Sequence, residues 1–403
     1  MPDEAKLDAV REGLPATGAG IYLNTGSAGP LPREVAAAMA DLEQWELATG
    51  RSHPAYWEEA DVRRAEARAA VAAVIHADLD AVSLTHGATD AVNAALWSID
   101  WRPGDTLVTT DLEYPGVMAG IASLCRRRGL DLRIVGATAD EELTLAGFEQ
   151  ALDGARMAVL SHVTWATGRR LPVEAVVNRA RAAGALVCVD GAQSVGALPI
   201  DVEDMAVDFL AIPAQKWLLG PEGMGALYVS PHILDRVAPG YAGAMGLVDP
   251  LDGQGALRPG ARAFESSNFH SPSVVGVARA CGWMSMYVGL DWITSRATGL
   301  ARGALDLLAA TPGVEVLTPP ERMAALVTFR IARWGAQEAL DELARRTHAI
   351  ARVVAPLDAI RISVGFFNTE AEIARFCDAV AEVARHTPAT LPRRPALTIL
   401  GEA

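Results

Sequence analysis

The sequence predicts an α/β fold: a mainly parallel seven-stranded sheet between helices, followed by a smaller α+β unit. Three observations carry that prediction. Between about residues 82 and 229, seven short runs rich in β-branched residues alternate with alanine-rich stretches. This is the βα alternation whose strands lie parallel under a cover of helices. From about residue 274, helical periodicity returns and is followed by a second, shorter set of strand-like runs. The chain has 403 residues and is 51% hydrophobic, enough to bury two or three packed units.

In chain order, residues 1–20 read as a polar N-terminal arm. Residues 32–50 and 56–76 carry helical patterns, the second amphipathic and rich in Arg and Glu. Strands are expected at 82–85, 106–109, 132–135, 158–161, 186–189, 209–212 and 226–229. A sheet of this kind binds ligands beyond the carboxyl ends of its strands. Residues 241–262, rich in glycine, lack either periodicity and read as a long loop crossing a surface or an interface. Helices at 274–288 and 291–310 lead into strands at 314–317, 325–329 and 360–363. Thr369, with Glu372 three residues on, has the signature of a capping box and opens a last helix running to 386. The expected division is an arm at 1–20, a large domain at 21–262, a small domain at 263–386 and a loose tail at 387–403.

Charge and cysteine usage narrow the partners. The 35 basic and 49 acidic side chains leave a formal charge of −14, which argues against nucleic acid or an anionic membrane as the main partner. Cys125, Cys188, Cys281 and Cys377 are scattered, with no C-x-x-C pair and no histidine spacing that suggests a metal site. Such thiols fit a reducing, cytoplasmic setting. No apolar stretch reaches the roughly 18 residues of a membrane span, and the polar N-terminus predicts no export signal.

Lys216 is the most informative residue. It follows the apolar run 207–214 and precedes the turn Gly220-Pro221-Glu222-Gly223. Burial lowers a lysine's pKa, which suits a Schiff-base nucleophile at neutral pH. The alternative is a surface lysine snorkelling along apolar neighbours. Asp190 ends another apolar strand, where ligands bind, and its alternative role is an N-cap. Gly87-Ala88-Thr89 opens a helix directly after a strand, where free N–H groups and the helix dipole suit a phosphate, although many helices start this way with no ligand. Tyr114 follows a further strand end, and its ring suits a flat heterocycle or plain packing. Arg361, among apolar neighbours, needs a carboxylate, either from a substrate or from an internal Asp or Glu. His86, His162 and His270 fall near these segments and read as hydrogen-bonding or packing residues, with assistance to proton transfer by one of them as the alternative.

Together these residues resemble the class V aminotransferase group of pyridoxal-phosphate enzymes. That group lies in the fold-type I superfamily, with cysteine desulfurases, cystine lyases and isopenicillin N epimerase. The resemblance runs from about residue 22 to about 372 and is most specific at Val189-Asp190-Gly191-Ala192-Gln193-Ser194 and Gln215-Lys216-Trp217-Leu218-Leu219-Gly220. It implies fold-type I architecture and pyridoxal 5'-phosphate as cofactor, carried on Lys216 as a Schiff base. By the same resemblance Asp190 pairs with the pyridine nitrogen, where a carboxylate raises the pyridinium pKa and improves the electron sink. It also implies that Gln193 bonds the ring hydroxyl, Tyr114 stacks on the ring, Ala88 and Thr89 hold the phosphate, and Arg361 grips the substrate α-carboxylate.

Departures from the family pattern qualify these implications. Members often carry Ser-x-His before the lysine, whereas Pro213-Ala214-Gln215 stands here and leaves Gln215 as a partial replacement at the phosphate. Where a Gly-Thr pair often reaches the neighbouring subunit's phosphate, this chain has Ser266-Ser267-Asn268, so the expectation is a homodimer with Asn268 in that role. Trp165 replaces the asparagine of many desulfurases, as in cystine-lyase-like members, and is expected at the substrate. Residues 345–361 lack the mobile-loop cysteine of the desulfurases, and Cys188 and Cys377 read as core thiols. The resulting expectation is a carbon–sulfur β-lyase for cystine or a cysteine S-conjugate, with Lys216 taking the Cα proton. Transamination, epimerisation, decarboxylation and a silent cofactor-binding protein stay open at this level.

Overall fold

The computed structural model describes residues 3–251 and 254–392. The chain opens with helix α1 (Asp3–Glu12) and strand β1 (Ile21–Tyr22), then α2 (Arg33–Thr49) and α3 (Pro54–Ile75). The main sheet comprises β2 (Val82–Thr85), β3 (Thr106–Thr110), β4 (Asp131–Val135), β5 (Ala155–Ser161), β6 (Leu186–Asp190), β7 (Phe209–Pro213) and β8 (Gly225–Val229). Its connections carry helices α4 (Ala88–Leu96), α5 (Pro115–Arg128), α6 (Glu141–Ala151), α7 (Val173–Ala182) and the short α8 (Val202–Met205).

The strand order is β2-β8-β7-β6-β5-β3-β4. Strands β4, β3, β5, β6 and β7 pair in parallel, and β8 runs antiparallel to both of its neighbours. Every residue of β6, β7 and β8 is buried, which is why those stretches read as unbroken apolar runs. The chain winds one way from β5 through β6 and β7, and the other way through β3 and β4. The crevice at that reversal, beyond the carboxyl ends, is where such sheets bind ligands.

A second group of elements follows: α9 (Ser271–Gly282), α10 (Leu290–Ala309), β9 (Val314–Val316), β10 (Leu326–Ile331), α11 (Ala336–Thr347), β11 (Ala349–Ile350), β12 (Arg352–Val354), β13 (Ala359–Ser363) and α12 (Glu370–Ala384). Strands β12, β13, β10 and β9 form an antiparallel sheet in that order. Early residues join this unit: β1 pairs in parallel with β11, and Ile21 and Leu23 share a core with Leu300, Phe329 and Phe376. Asn24 bridges Ser363 at the end of β13. Residues 26–29 are thereby carried to the mouth of the main sheet's crevice.

Several elements differ from the sequence reading. The expected arm contains helix α1, whose Val10 packs with Leu14, Trp283 and Phe367. Its Arg11 donates to the Phe367 carbonyl at 2.7 Å and to Glu372 at 2.8 Å. So polar a segment owes its helix to these tertiary contacts rather than to a local hydrophobic stripe. The helix expected at 274–288 is α9 followed by a π-helical turn, Trp283–Val288. That turn buries the consecutive residues Trp283 and Met284 together, which a regular helical face accommodates poorly. Helix α11 and strand β12 were not expected. Of the expected tail, residues 387–392 are described; Leu391 packs against the second core, and Arg346 donates to the Pro392 carbonyl at 3.2 Å. Residues 393–403 lie outside the described residues.

Candidate active site

Past the end of β7 the backbone turns sharply, with Gly220 donating to the Ala214 carbonyl at 2.8 Å. That turn presents Lys216 to a cavity of about 270 Å³ at the crevice. The walls come from five places: Gly26 and Ser27, the turn from His86 to Asp90, Tyr114 with Trp165, the β6 end with Asp190 and Gln193, and Arg352 with Arg361. Gln215 also lines the cavity. Lys216, Asp190, Gln193, Ala88, Thr89, Tyr114, Gln215, Trp165 and Arg361, distant in sequence, therefore share one space. Asn268 does not; it is exposed and absent from this wall.

Each side chain has a physical address. Asp190 is buried, and its Oδ1 accepts the Ala192 N–H at 2.9 Å. It thus caps the turn after β6 and lines the cavity at once. Burial pushes its carboxyl up, while Lys216 and the Ala192 bond pull it down. Burial lowers Lys216 to about 8, opposed by Asp190 and reinforced by Arg361 and Arg352. About a tenth of the amine is therefore unprotonated at pH 7, against well under a thousandth for an ordinary lysine. Lys216 Nζ lies 5.7 Å from the centroid of the Tyr114 ring, which meets Trp165 edge-on at 5.7 Å. Gln193 accepts the Trp217 indole N–H at 2.9 Å and donates to the Gly26 carbonyl at 2.9 Å, leaving one amide hydrogen for a ligand.

The arginines define the other wall. Arg361 is fully buried; it donates to the Trp165 carbonyl at 2.6 Å and to Ser27 Oγ at 3.3 Å, and its Nε has no partner. Opposite it in the β12–β13 ladder stands Arg352, which donates to the same Ser27 Oγ at 3.2 Å. Its guanidinium lies 5.7 Å from the Trp165 ring centroid. Burial and Arg352 lower Arg361 to about 9, so it stays charged at neutral pH. Among the described residues no carboxylate pairs with either arginine. Two adjacent cations without a counter-ion form an anion site.

Whether pyridoxal phosphate suits this cavity can be judged from its polar groups. The first N–H groups of α4, at Ala88 and Thr89, have no intrahelical acceptor and point positive dipole ends at the cavity. The turn before them lies close above β8. A Cβ on Gly225 would come within 2.8 Å of Gly87 Cα, and Gly87 itself has φ of +146°. The buried Gln215 amide oxygen also lacks a partner; exchanging the amide's N and O turns that position into a donor. A phosphate at the helix start, a ring nitrogen at Asp190 and an aldehyde at Lys216 use all of these groups. The residues fit the cofactor.

The sequence reading did not single out Arg352 or Glu113. Arg352 carried a signal in hindsight, an arginine in a short β-branched run nine positions before Arg361. Glu113 is fully buried beside Tyr114, and nothing in its charged neighbourhood marks it in the sequence. Of the three histidines noted, only His86 lines the cavity. His270 bonds Ser273 Oγ at 2.9 Å, and His162 is buried with both ring nitrogens unpartnered.

Comparison with known proteins places the chain in a family. The model of the family described as "Aminotransferase class-V" matches residues 21–376. An isopenicillin N epimerase from Streptomyces clavuligerus is 31% identical over 89% of this chain and 94% of its own length. A probable cysteine desulfurase from Methanothermobacter thermautotrophicus is 26% identical over 94% of this chain and 98% of its own. Two solved structures of the cystine C-S lyase C-DES are also similar, each 25% identical. A lysine-to-alanine mutant with glycine covalently linked to the PLP cofactor superposes with a TM-score of 0.87, covering 92% of this chain and 98% of that one. The complex with cysteine persulfide superposes at 0.86, covering 91% and 99%. The chain belongs to the class V aminotransferase family and is an enzyme whose cofactor is pyridoxal 5'-phosphate.

Proposed function

We propose that this enzyme is a carbon–sulfur β-lyase acting on cystine or a cysteine S-conjugate that carries a second anionic group. The observation that carries this reading is the Arg352–Arg361 pair, open to the cavity and without a carboxylate of its own. One guanidinium serves the α-carboxylate, and the other suits a distal anion such as the far carboxylate of cystine. Absence of a relay thiol supports elimination over persulfide transfer to the protein. Cys188, Cys281 and Cys377 are buried, with burial raising each thiol, and half-buried Cys125 lies outside the cavity wall.

The chain's own residues divide the work. Pyridoxal phosphate, when bound, supplies the electron sink for the pair left on Cα. Asp190 would hold the pyridine nitrogen. Lys216 Nζ, lowered to about 8, takes the Cα proton and can return one. Arg361, held by Trp165 and Ser27, fixes the substrate's orientation and hence which Cα bond is labile. Trp165 and Tyr114 close an apolar corner around the leaving group.

Incubating the cofactor-loaded enzyme with L-cystine tests this reading, with pyruvate and cysteine persulfide as expected products. No pyruvate from cystine or from any acidic S-conjugate would overturn it. The isopenicillin N epimerase relative motivates a second reading, epimerisation. Exchange of the Cα proton for deuterium with inversion and no pyruvate would favour it. A homodimer with Asn268 reaching the partner's phosphate is proposed alongside. Exposed Asn268 and the exposed apolar Val248, Leu251 and Leu257 of the long loop support it, and sedimentation at micromolar concentration tests it.

A further inference from the structure

Glu113 occupies an unusual place behind the cavity. It is 5% exposed, and among the described residues no lysine, arginine or histidine pairs with it. Its Oε1 accepts Thr110 Oγ at 2.6 Å and the Ser161 N–H at 3.0 Å, and its Oε2 accepts Ser161 Oγ at 2.6 Å. These bonds tie the ends of β3 and β5, the two strands at the reversal of the sheet. The Glu113 carbonyl accepts the Trp165 indole N–H at 3.1 Å, and the next residue is Tyr114. Ser161 is also the register partner of Asp190 on β6.

We propose that Glu113 is a positioning residue of this site, which locks the Tyr114–Trp165 corner to the sheet and sets the electrostatic field in which Asp190 holds its charge. The charged, polar and titratable groups facing it are Thr110 from β3, Ser161 from β5, and Asp190 and the Cys188 thiol from β6, with no cation among them. A buried carboxylate satisfied by three neutral donors is costly without a cation nearby. Burial first, and then Asp190, raise Glu113 to about 7, against the pull of its hydrogen bonds. Glu113, which faces no cation, and Asp190, which has Lys216 opposite it, share one buried field and compete for charge. A cofactor held with its ring nitrogen at Asp190 would bring a positive charge that relieves that competition, so cofactor protonation and an ionised Glu113 would support one another.

This inference rests on the cofactor site and is independent of which substrate bond breaks, so its test reads cofactor absorbance rather than turnover. Glu113→Gln keeps the shape and removes the charge. The pH midpoint of the bound cofactor's visible band is expected to fall by about half a unit or more, with Glu113→Asp nearer wild type. A Glu113→Gln protein with native melting and an unchanged midpoint would overturn the proposal. Should Glu113→Gln fail to fold, infrared spectra of the Asp190→Asn protein decide. The proposal requires that the buried carboxyl band titrating near neutral pH in the cofactor-free wild type titrate at lower pH in Asp190→Asn, and an unmoved midpoint overturns it.

Discussion

Lys216 and Asp190 face each other across the cavity with opposite demands on the same field. Burial lowers the amine and raises the carboxyl, and each partly cancels the other's shift. On the proposed reading, Lys216→Ala removes both the covalent anchor and the base. It is expected to abolish the cofactor's Schiff-base absorbance and to cut turnover by roughly a thousandfold or more, which single-turnover kinetics would show. Arg352→Ala tests the distal-anion reading. For a dicarboxylate substrate KM is expected to rise about 10- to 100-fold, the loss of a charge-assisted hydrogen bond. For an S-conjugate with a neutral side chain KM should hardly move. A uniform loss on both substrates would mean that Arg352 acts by supporting Arg361 instead.

At the level of elements, the phosphate end of the site depends on how closely β8 approaches the turn before α4. A Cβ at position 225 would run into the Ile212 carbonyl and come within 2.8 Å of Gly87, backbone atoms that move only with their strands. Gly225→Ala is therefore expected to weaken cofactor binding about tenfold or more, measured by titrating the cofactor-free protein. Gly299→Ala on α10 provides the contrast. Nothing lies within 4 Å of its added Cβ, and the substitution should raise stability by about 0.5–1 kcal/mol in a denaturant titration. The capping box of α12 joins Thr369 and Glu372 in both directions, and Thr369→Ala should cost about 1 kcal/mol.

Over the whole molecule, buried titratable groups give the cofactor-free protein opposing pH dependences. His162 is lowered from 6.5 to about 3, chiefly by burial. The unfolded chain thus takes up a proton that the folded chain refuses, and this contribution is present above pH 6.5 and lost as pH falls toward 3. Glu113 is raised from 4.5 to about 7, so the folded chain keeps a proton that the unfolded chain has released. Its contribution is full below pH 4.5 and lost as pH rises through 7. Denaturant midpoints measured across this range should show His162→Leu flattening the acid limb and Glu113→Gln flattening the decline toward neutrality. No helix among the described residues is long and apolar enough to cross a membrane.

The sequence by itself determined the elements whose residue pattern is local. The buried parallel strands declared themselves as apolar runs, the α12 capping box as Thr369 and Glu372, and the cofactor segments as Asp190 with Gln193 and the stretch after Gln215. A strand buried on both faces needs consecutive apolar residues and a helix start needs its cap within a few positions, so both leave marks in residue order. Helix α1 left none, because Arg11 finds its partners in Phe367 and Glu372, far along the chain. The π-helical turn at Trp283 escaped for the same reason, its geometry being set by what Trp283 and Met284 pack against. The tertiary structure alone decided that Arg352 stands opposite Arg361 over a shared serine, and that Glu113 faces Asp190's field without a cation. Both are properties of charges brought together by strand pairing, and a Coulomb interaction depends on distance in space, which sequence separation does not encode.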